Sequence, residues 1–347
     1  ITTLAIIRFK NLHQQFTADH DLSGPQKFHL IAVPRIGGIS IAVGIFFAVV
    51  INAQTTEFFS LDLMLLLCSV PVFAIGLTED ITKAISVKIR LLFTAASAAL
   101  AAHFTGGQIT NLDIPIIDLL FSIPGLGFLF TIFAITGLSN AYNIIDGFNG
   151  LSSMVGMISL LGLAYVSYTV GDTSLLYLNL AMVVAILGFF LWNYPRGLIF
   201  LGDGGAYLIG FWVALMSVLV VQRHPEVSPW FAVLINAYPI LETLFTIYRR
   251  KIHQGKNPGL PDGIHFHTLI YRRILNTQAS TMKESIFSAN ARTSPYLWFL
   301  SMLAVAPAVL FWQSTLVLIA SIVIFAISYV WLYKSIVTFK TPRWLHI

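Results

Sequence analysis

Leu175-Leu-Tyr-Leu-Asn-Leu-Ala-Met-Val-Val-Ala-Ile-Leu-Gly-Phe-Phe-Leu-Trp192 contains no charged side chain. As an α-helix this stretch would be about 27 Å long, close to the roughly 30 Å hydrocarbon core of a bilayer. Comparable apolar runs recur along the whole chain. They predict ten spans, at residues 36–53, 61–77, 89–104, 126–142, 151–170, 175–192, 204–221, 229–248, 295–312 and 315–333. Ile1 to Ile7 read as the tail of an eleventh helix whose beginning lies upstream. Composition agrees: the 347 residues are 57% hydrophobic and only 10% charged, with a mean hydropathy of +0.81. A soluble domain carries about a quarter charged residues, so this chain lacks the charge to cover a water-facing surface. The expected fold is all-α, a polytopic membrane bundle of about 10–11 helices. It forms a single domain over residues 1–347, with a long cytoplasmic loop at about 249–294.

The net charge of +5 and pI near 9.3 would point to nucleic acid in a soluble protein. Here their distribution explains them. With the ten spans in place, every Lys and Arg of the 20 except Arg223 falls on one side of the membrane. That bias assigns the side to the cytoplasm, predicts a multi-pass membrane protein, and removes nucleic acid as a partner. The single cysteine, Cys68, lies inside an apolar run, so no disulfide framework exists.

Four polar segments stand out, all on the cytoplasmic side. Gly76-Leu-Thr-Glu79-Asp80 closes a span. Its paired carboxylates, followed by Lys83, suit a metal or a steered lysine, although acidic pairs at helix ends often just face water. In Asn140-Ala-Tyr-Asn143-Ile-Ile-Asp146-Gly147-Phe-Asn149-Gly150, the i, i+3, i+6 spacing of Asn140, Asn143 and Asp146 keeps two amides and a carboxylate within an arc of about 120° on a helix. The competing reading is an interhelical hydrogen-bond seam. Phe200-Leu-Gly202-Asp203-Gly204-Gly205 sets an aspartate between glycines just before a span. Such a turn either admits a phosphate to a helix N-terminus or is a tight turn with an Asp cap. Pro261-Asp262-Gly-Ile-His265-Phe-His267-Thr268, with Arg272 and Arg273 following, lacks the third ligand that zinc would need and suits phosphate oxygens better, unless it is only a solvated basic loop. Glu242 lies within a predicted span; it is either functional or bonded to Asn236 or a neighbouring helix.

In this order the four segments resemble the polyprenyl-phosphate N-acetylaminosugar-1-phosphate transferases, glycosyltransferase family 4. The resemblance runs from Ser23 to about Arg273 and begins with Lys27-Phe-His29 and Pro34-Arg35-Ile-Gly37-Gly38. It implies an acidic pair at Glu79 and Asp80, an Asn-x-x-Asn-x-x-Asp signature at Asn140, Asn143 and Asp146, and a magnesium-binding aspartate at Asp203. It also implies a uracil-stacking aromatic at Phe200 and a histidine motif at His265 and His267. The chain departs from the pattern in three places. Glu79 stands where the family usually has Asp, Asn149 replaces the second Asp of Asp-Gly-x-Asp-Gly, and Thr268 replaces a histidine.

The branch most closely resembled initiates O-antigen on undecaprenyl phosphate, using UDP-N-acetylaminosugars such as UDP-GlcNAc or a 6-deoxy relative. A phospho-MurNAc-pentapeptide translocase is the alternative within the superfamily, and it carries a longer histidine cluster than this chain does. Both substrates of such a reaction are anionic, so Glu79, Asp80, Asp146 and Asp203 around them would raise the barrier without a divalent cation. Mg²⁺, or Mn²⁺ in its place, is expected on Asp203 with Asp146 near it. Glu79, Asp80, Asp146, His265 and His267 form the expected catalytic set. Lys27, Asn140, Asn143, Phe200 and Arg272 would bind substrate. A phosphate monoester is largely dianionic at neutral pH, its second pKa being about 6, so Asp80 would gain little as a base and is expected to orient Lys83 or the metal. A homodimer is compatible with this reading. The rival outside the family is a transporter or lipid flippase, against which stand the absence of repeated halves and the clustering of polar residues at one face.

Overall fold

The computed structural model describes residues 1–18, 32–55, 61–257, 262–275 and 283–339, with side chains left undescribed at 53–55 and 283–289. Among these residues the chain is helical, and its only β pairing is an isolated bridge between Ala18 and Pro34. The helices are α1 (Thr2–Arg8), α2 (Lys10–Thr17), α3 (Gly38–Thr55), α4 (Leu61–Thr82), α5 (Val87–Thr105), α6 (Pro115–Phe121), α7 (Leu126–Ile145), α8 (Leu151–Thr169), α9 (Thr173–Asn193) and α10 (Gly202–Arg223). They continue with α11 (Pro229–Ile235), α12 (Ala237–Tyr248), α13 (Phe266–Ile270), α14 (Lys283–Leu310) and α15 (Thr315–Val337). Single π-helical turns, Arg249–His253 and Tyr271–Leu275, extend α12 and α13.

The expected all-α, multi-pass membrane bundle is what these helices form. Eight of them, α4, α5, α7 to α10, α14 and α15, are long and apolar enough to cross a bilayer, and α11 with α12 brings the number to nine. The span expected at 36–53 is α3, whose apolar part, Gly38–Asn52, is shorter. The expected eleventh helix is the seven-residue α1.

The span expected as one helix over 229–248 is broken. Its halves meet at 74°, with Asn236 in the break and fully buried. Backbone inside a membrane cannot be left unpaired, and the Asn236 side chain braces the corner. Its Nδ2 donates to Ala232 O (3.0 Å) and Ser217 Oγ (3.1 Å), and its Oδ1 accepts from Tyr142 Oη at 3.3 Å.

Helix α10 is the axis of the bundle. It is apolar on every face, the pattern of a helix with no solvent or lipid side, and residues 202 to 220 are all buried. α7, α4, α8 and α3 pack around it. By contrast α15 leaves Leu316, Ile324, Ile327 and Trp331 exposed, as a lipid-facing helix should. The N-terminus of α10 is approached closely because its neighbours carry glycine. A Cβ on Gly76 of α4 would lie 2.7 Å from Gly204 Cα. This contact brings Asp80, one turn further along α4, over the first residues of α10.

Candidate active site

Asp80 is 1% exposed, and both of its oxygens are taken by the first turn of α10. Oδ1 accepts from Asp203 N at 2.8 Å and Oδ2 from Gly204 N at 2.9 Å. Those amides have no partner inside their own helix, so a carboxylate from α4 caps α10, where the helix dipole favours negative charge.

The cap fixes Asp203. Its carboxylate receives Asn143 Nδ2 at 3.2 Å and Arg35 Nη2 at 3.5 Å on Oδ1, and an ion pair from Arg90 Nη1 on Oδ2. Arg35 also lies 3.6 Å from Asp80. One turn along α10, Tyr207 Oη donates to Asn140 Oδ1 at 3.0 Å, and the Arg90 guanidinium stands 5.9 Å from the Tyr207 ring. The expected amide face of α7 therefore meets α10, with Asn140 and Asn143 reading Tyr207 and Asp203 in register.

Arg90 carried no role in the sequence reading, and Arg35 appeared there only within a motif. The signal for Arg90 was present: an arginine at the second position of the apolar run 89–104 is costly unless it has a partner.

Other expected residues stand apart from this knot. Glu79 Oε2 accepts from Ile85 N at 2.6 Å, closing the turn between α4 and α5, while Lys83 Nζ donates to Ala18 O at 3.3 Å rather than to Asp80. Asp146 corrects the expected helix-face geometry. α7 ends at Ile145 and Asp146 is its C-cap, with φ −77° and ψ 57°, so helical spacing no longer sets its direction. No described side chain hydrogen-bonds its carboxylate, and burial pushes its pKa up to about 7 against the pull of Arg35. Asn149 ties its loop to the 194–197 turn and to α14, with Nδ2 donating to Pro195 O at 3.3 Å and its backbone N–H to Asn290 Oδ1 at 3.1 Å.

His265 has extended backbone and α13 starts at the next residue, so the two histidines come together despite their i, i+2 spacing. Their rings stack at 5.2 Å and 18°. His267 is 2% exposed and faces the Asp146 segment: a Cβ on Gly147 would lie 2.7 Å from its Nε2, and the Phe148 ring is edge-on at 5.6 Å. Burial, with His265 beside it, holds its pKa down to about 3, so the ring is neutral at physiological pH. Thr268 is fully buried, and its hydroxyl has no hydrogen-bond partner among the described residues. Arg272 lies exposed on the π-turn after α13. Phe200 is half-buried, and its backbone ties the glycine turn to the 34–37 segment: its amide donates to Pro34 O at 2.8 Å and its carbonyl accepts from Gly37 N at 2.9 Å. Lys27 and the surrounding Lys27-Phe-His29 lie outside the described residues.

Among the described residues no three His, Cys, Asp or Glu side chains gather into a metal cage. The donors present are the hard oxygens of Asp203 and of Asp146, the latter without a hydrogen-bond partner among the described residues. Such a set fits a cation that takes one or two carboxylates and completes its shell with water and substrate phosphate, the mode of Mg²⁺.

The family model of glycosyl transferase family 4 matches residues 62–221, which include Asp80, Arg90, Asn140, Asn143 and Asp203. The undecaprenyl-phosphate alpha-N-acetylglucosaminyl 1-phosphate transferase of Yersinia pestis is 31% identical over 254 residues, covering 71% of this chain and 68% of that one. The protein of the same name from Escherichia coli K12 is 32% identical over 254 residues, covering 71% and 67%. A probable undecaprenyl-phosphate N-acetylglucosaminyl 1-phosphate transferase of Bacillus subtilis is 25% identical over 249 residues, covering 71% and 68%. With Asp80, Asn140, Asn143 and Asp203 gathered at one end of a central buried helix and these relatives matched over most of their length, the chain belongs to glycosyl transferase family 4, the membrane-bound polyprenyl-phosphate sugar-1-phosphate transferases.

Proposed function

We propose that this chain transfers an N-acetylaminosugar-1-phosphate, GlcNAc-1-phosphate or that of a 6-deoxy relative, from its UDP-sugar to undecaprenyl phosphate at the cytoplasmic face of a bacterial inner membrane. The products are the undecaprenyl-diphosphate sugar and UMP, and the step initiates an O-antigen or other envelope polysaccharide. The observation that carries this reading is the convergence of Arg35, Asp80, Arg90 and Asn143 on Asp203 at the N-terminus of α10. Arg35 and Arg90, two guanidiniums at one mouth of the bundle, are the groups that would meet anionic phosphates, and the names of the relatives supply the substrate class.

Asp203 and Asp146 would hold Mg²⁺, and the ion when bound would neutralise pyrophosphate charge as the bond to UMP breaks. The chain's own side chains do the positioning. Arg35 and Arg90 hold Asp203 and offset the charge of incoming phosphate. Asn143 orients the same carboxylate. Asp80 keeps the first turn of α10 in place; with both oxygens occupied by backbone amides it suits that task better than proton abstraction, and a dianionic lipid phosphate has little need of a base. Asn140 holds Tyr207 in place, and Glu79 fixes the turn that follows the acidic pair. His265, His267, Arg272 and Lys27 are assigned to the phosphates and the departing UMP.

Phe200 is assigned to uracil. Aromatic stacking on a base is worth about 1–3 kcal/mol, and such binding is the same in ground and transition states. Phe200→Ala is therefore expected to raise KM for the UDP-sugar about five- to a hundredfold with kcat nearly unchanged. Steady-state kinetics with each substrate varied checks this; a depressed kcat with the donor KM intact removes the stacking role.

The function is tested by UMP release from UDP-GlcNAc and a panel of UDP-N-acetylaminosugars, using purified protein. Release should require both polyprenyl phosphate and Mg²⁺ and stop with EDTA. Release indifferent to the lipid, or none with any sugar, contradicts the proposal.

A further inference from the structure

Glu242 of α12 is a carboxylate inside a membrane-spanning helix, 1% exposed. Ionisable groups at such depth are costly and persist where they do something. Its expected partner Asn236 is engaged elsewhere at the helix break. Glu242 instead reaches the histidine segment. Oε1 accepts from His265 Nδ1 at 3.0 Å and from Phe266 N at 3.2 Å, and Oε2 accepts from Tyr329 Oη of α15 at 2.8 Å. Thr246, one turn along α12, places its hydroxyl 3.2 Å from the same His265 nitrogen.

Each bond constrains a different part of the segment. The Phe266 contact secures the first amide of α13, the His265 contact sets the plane of that ring, and Tyr329 holds the carboxylate itself against α15. The other His265 nitrogen, Nε2, lies 3.9 Å from Asp262, which is paired with Arg249. The imidazole is thus held through Nδ1, and His267 is stacked on it with its Nε2 at Gly147. A continuous chain of contacts leads from Glu242 through His265 and His267 to the residue after Asp146.

We propose that Glu242 is a positioning residue for sugar-phosphate transfer, acting through His265 to hold the His265–His267 stack against the Asp146–Gly147 segment. This rests on the proposed reaction and on the assignment of His265 to it. No substrate atom touches Glu242 in this scheme, and reach rather than charge is what the carboxylate contributes.

Reach and charge are separable. Glu242→Gln keeps the length and an acceptor oxygen for His265 and Phe266 and removes the charge. Glu242→Asp keeps the charge and withdraws it by one methylene. A misplacement of about 1 Å can cost about 10²-fold in rate. The expected result for detergent-purified, monodisperse protein is that Glu242→Asp loses about 10²-fold in kcat with the UDP-sugar KM within about threefold of wild type, while Glu242→Gln recovers kcat to within about fivefold. In a His265→Ala background, Glu242→Asp should cost less than about threefold more, because residues acting as a unit are not additive.

Full kcat in Glu242→Asp, a larger loss in Gln than in Asp, or an equal loss of kcat with and without His265 overturns the proposal. If either variant cannot be purified folded, Tyr329→Phe, which leaves Glu242 in place but frees one oxygen, should lower kcat without changing the donor KM; an unchanged kcat there also overturns it. Should His265→Ala alone turn over at the wild-type rate, the assignment of His265 has failed, and that outcome is visible before any Glu242 variant is compared.

Discussion

Asp203→Asn is expected to reduce kcat by about 10³-fold, roughly 4 kcal/mol of barrier. The substitution is isosteric, so the helix α10 cap formed by Asp80 on the Asp203 and Gly204 amides survives. What changes is the side chain. An amide nitrogen would face Arg90 or Arg35 in place of an oxygen, setting donor against donor. A hard anionic ligand for Mg²⁺ is lost at the same time, and the Mg²⁺ concentration giving half-maximal activity should rise. Protein yield and monodispersity in detergent should stay close to wild type, which separates this loss from misfolding. Activity within about threefold of wild type, or about 0.65 kcal/mol, would remove Asp203 from the centre of the site.

The second large effect is expected at Asp80. Asn at this position has one acceptor oxygen for two backbone donors, and its NH₂ group must face one of them. Breaking a buried charge-assisted arrangement of this kind costs about 3–5 kcal/mol, so Asp80→Asn should be measurably less stable to heat in detergent. Because the first turn of α10 carries Asp203, kcat should fall about 10²-fold through misplacement. The residual activity should keep the wild-type pH profile. If Asp80 were a proton acceptor, the acid limb of that profile would disappear instead, with thermal stability little changed.

The membrane bundle was legible because bilayer crossing imposes length and hydropathy on each helix separately, with no need to know its neighbours. The break at Asn236 was not, since its bend depends on Ser217 and Tyr142 in other helices accepting and donating to one amide. Within the site, the shared helix face of Asn140 and Asn143 followed from their spacing and was readable, whereas its partner, α10, was not. Asp146 defeated the same rule because the helix ends one residue earlier. Arg90 and Glu242 were visible as unusual charges in apolar runs, yet their partners, Asp203 and His265, lie 113 and 23 residues away. Sequence spacing carries no information about such contacts; they are set by which helices surround α10 and where α13 folds back. The tasks of Asp80 and Glu79 likewise depended on backbone amides of a distant helix start and a nearby turn, which residue type alone does not reveal.

The proposed reaction differs from ordinary sugar transfer in which bond breaks, and that bond can be followed directly. UDP-GlcNAc labelled at its β-phosphorus, or another UDP-N-acetylaminosugar that the chain accepts, is incubated with purified protein, Mg²⁺ and undecaprenyl phosphate, and the lipid and aqueous phases are separated. Sugar-1-phosphate transfer predicts that the label enters the lipid phase together with the sugar, in equal amount to the unlabelled UMP released. Label retained as UDP in the water phase, with sugar alone on the lipid, would contradict it.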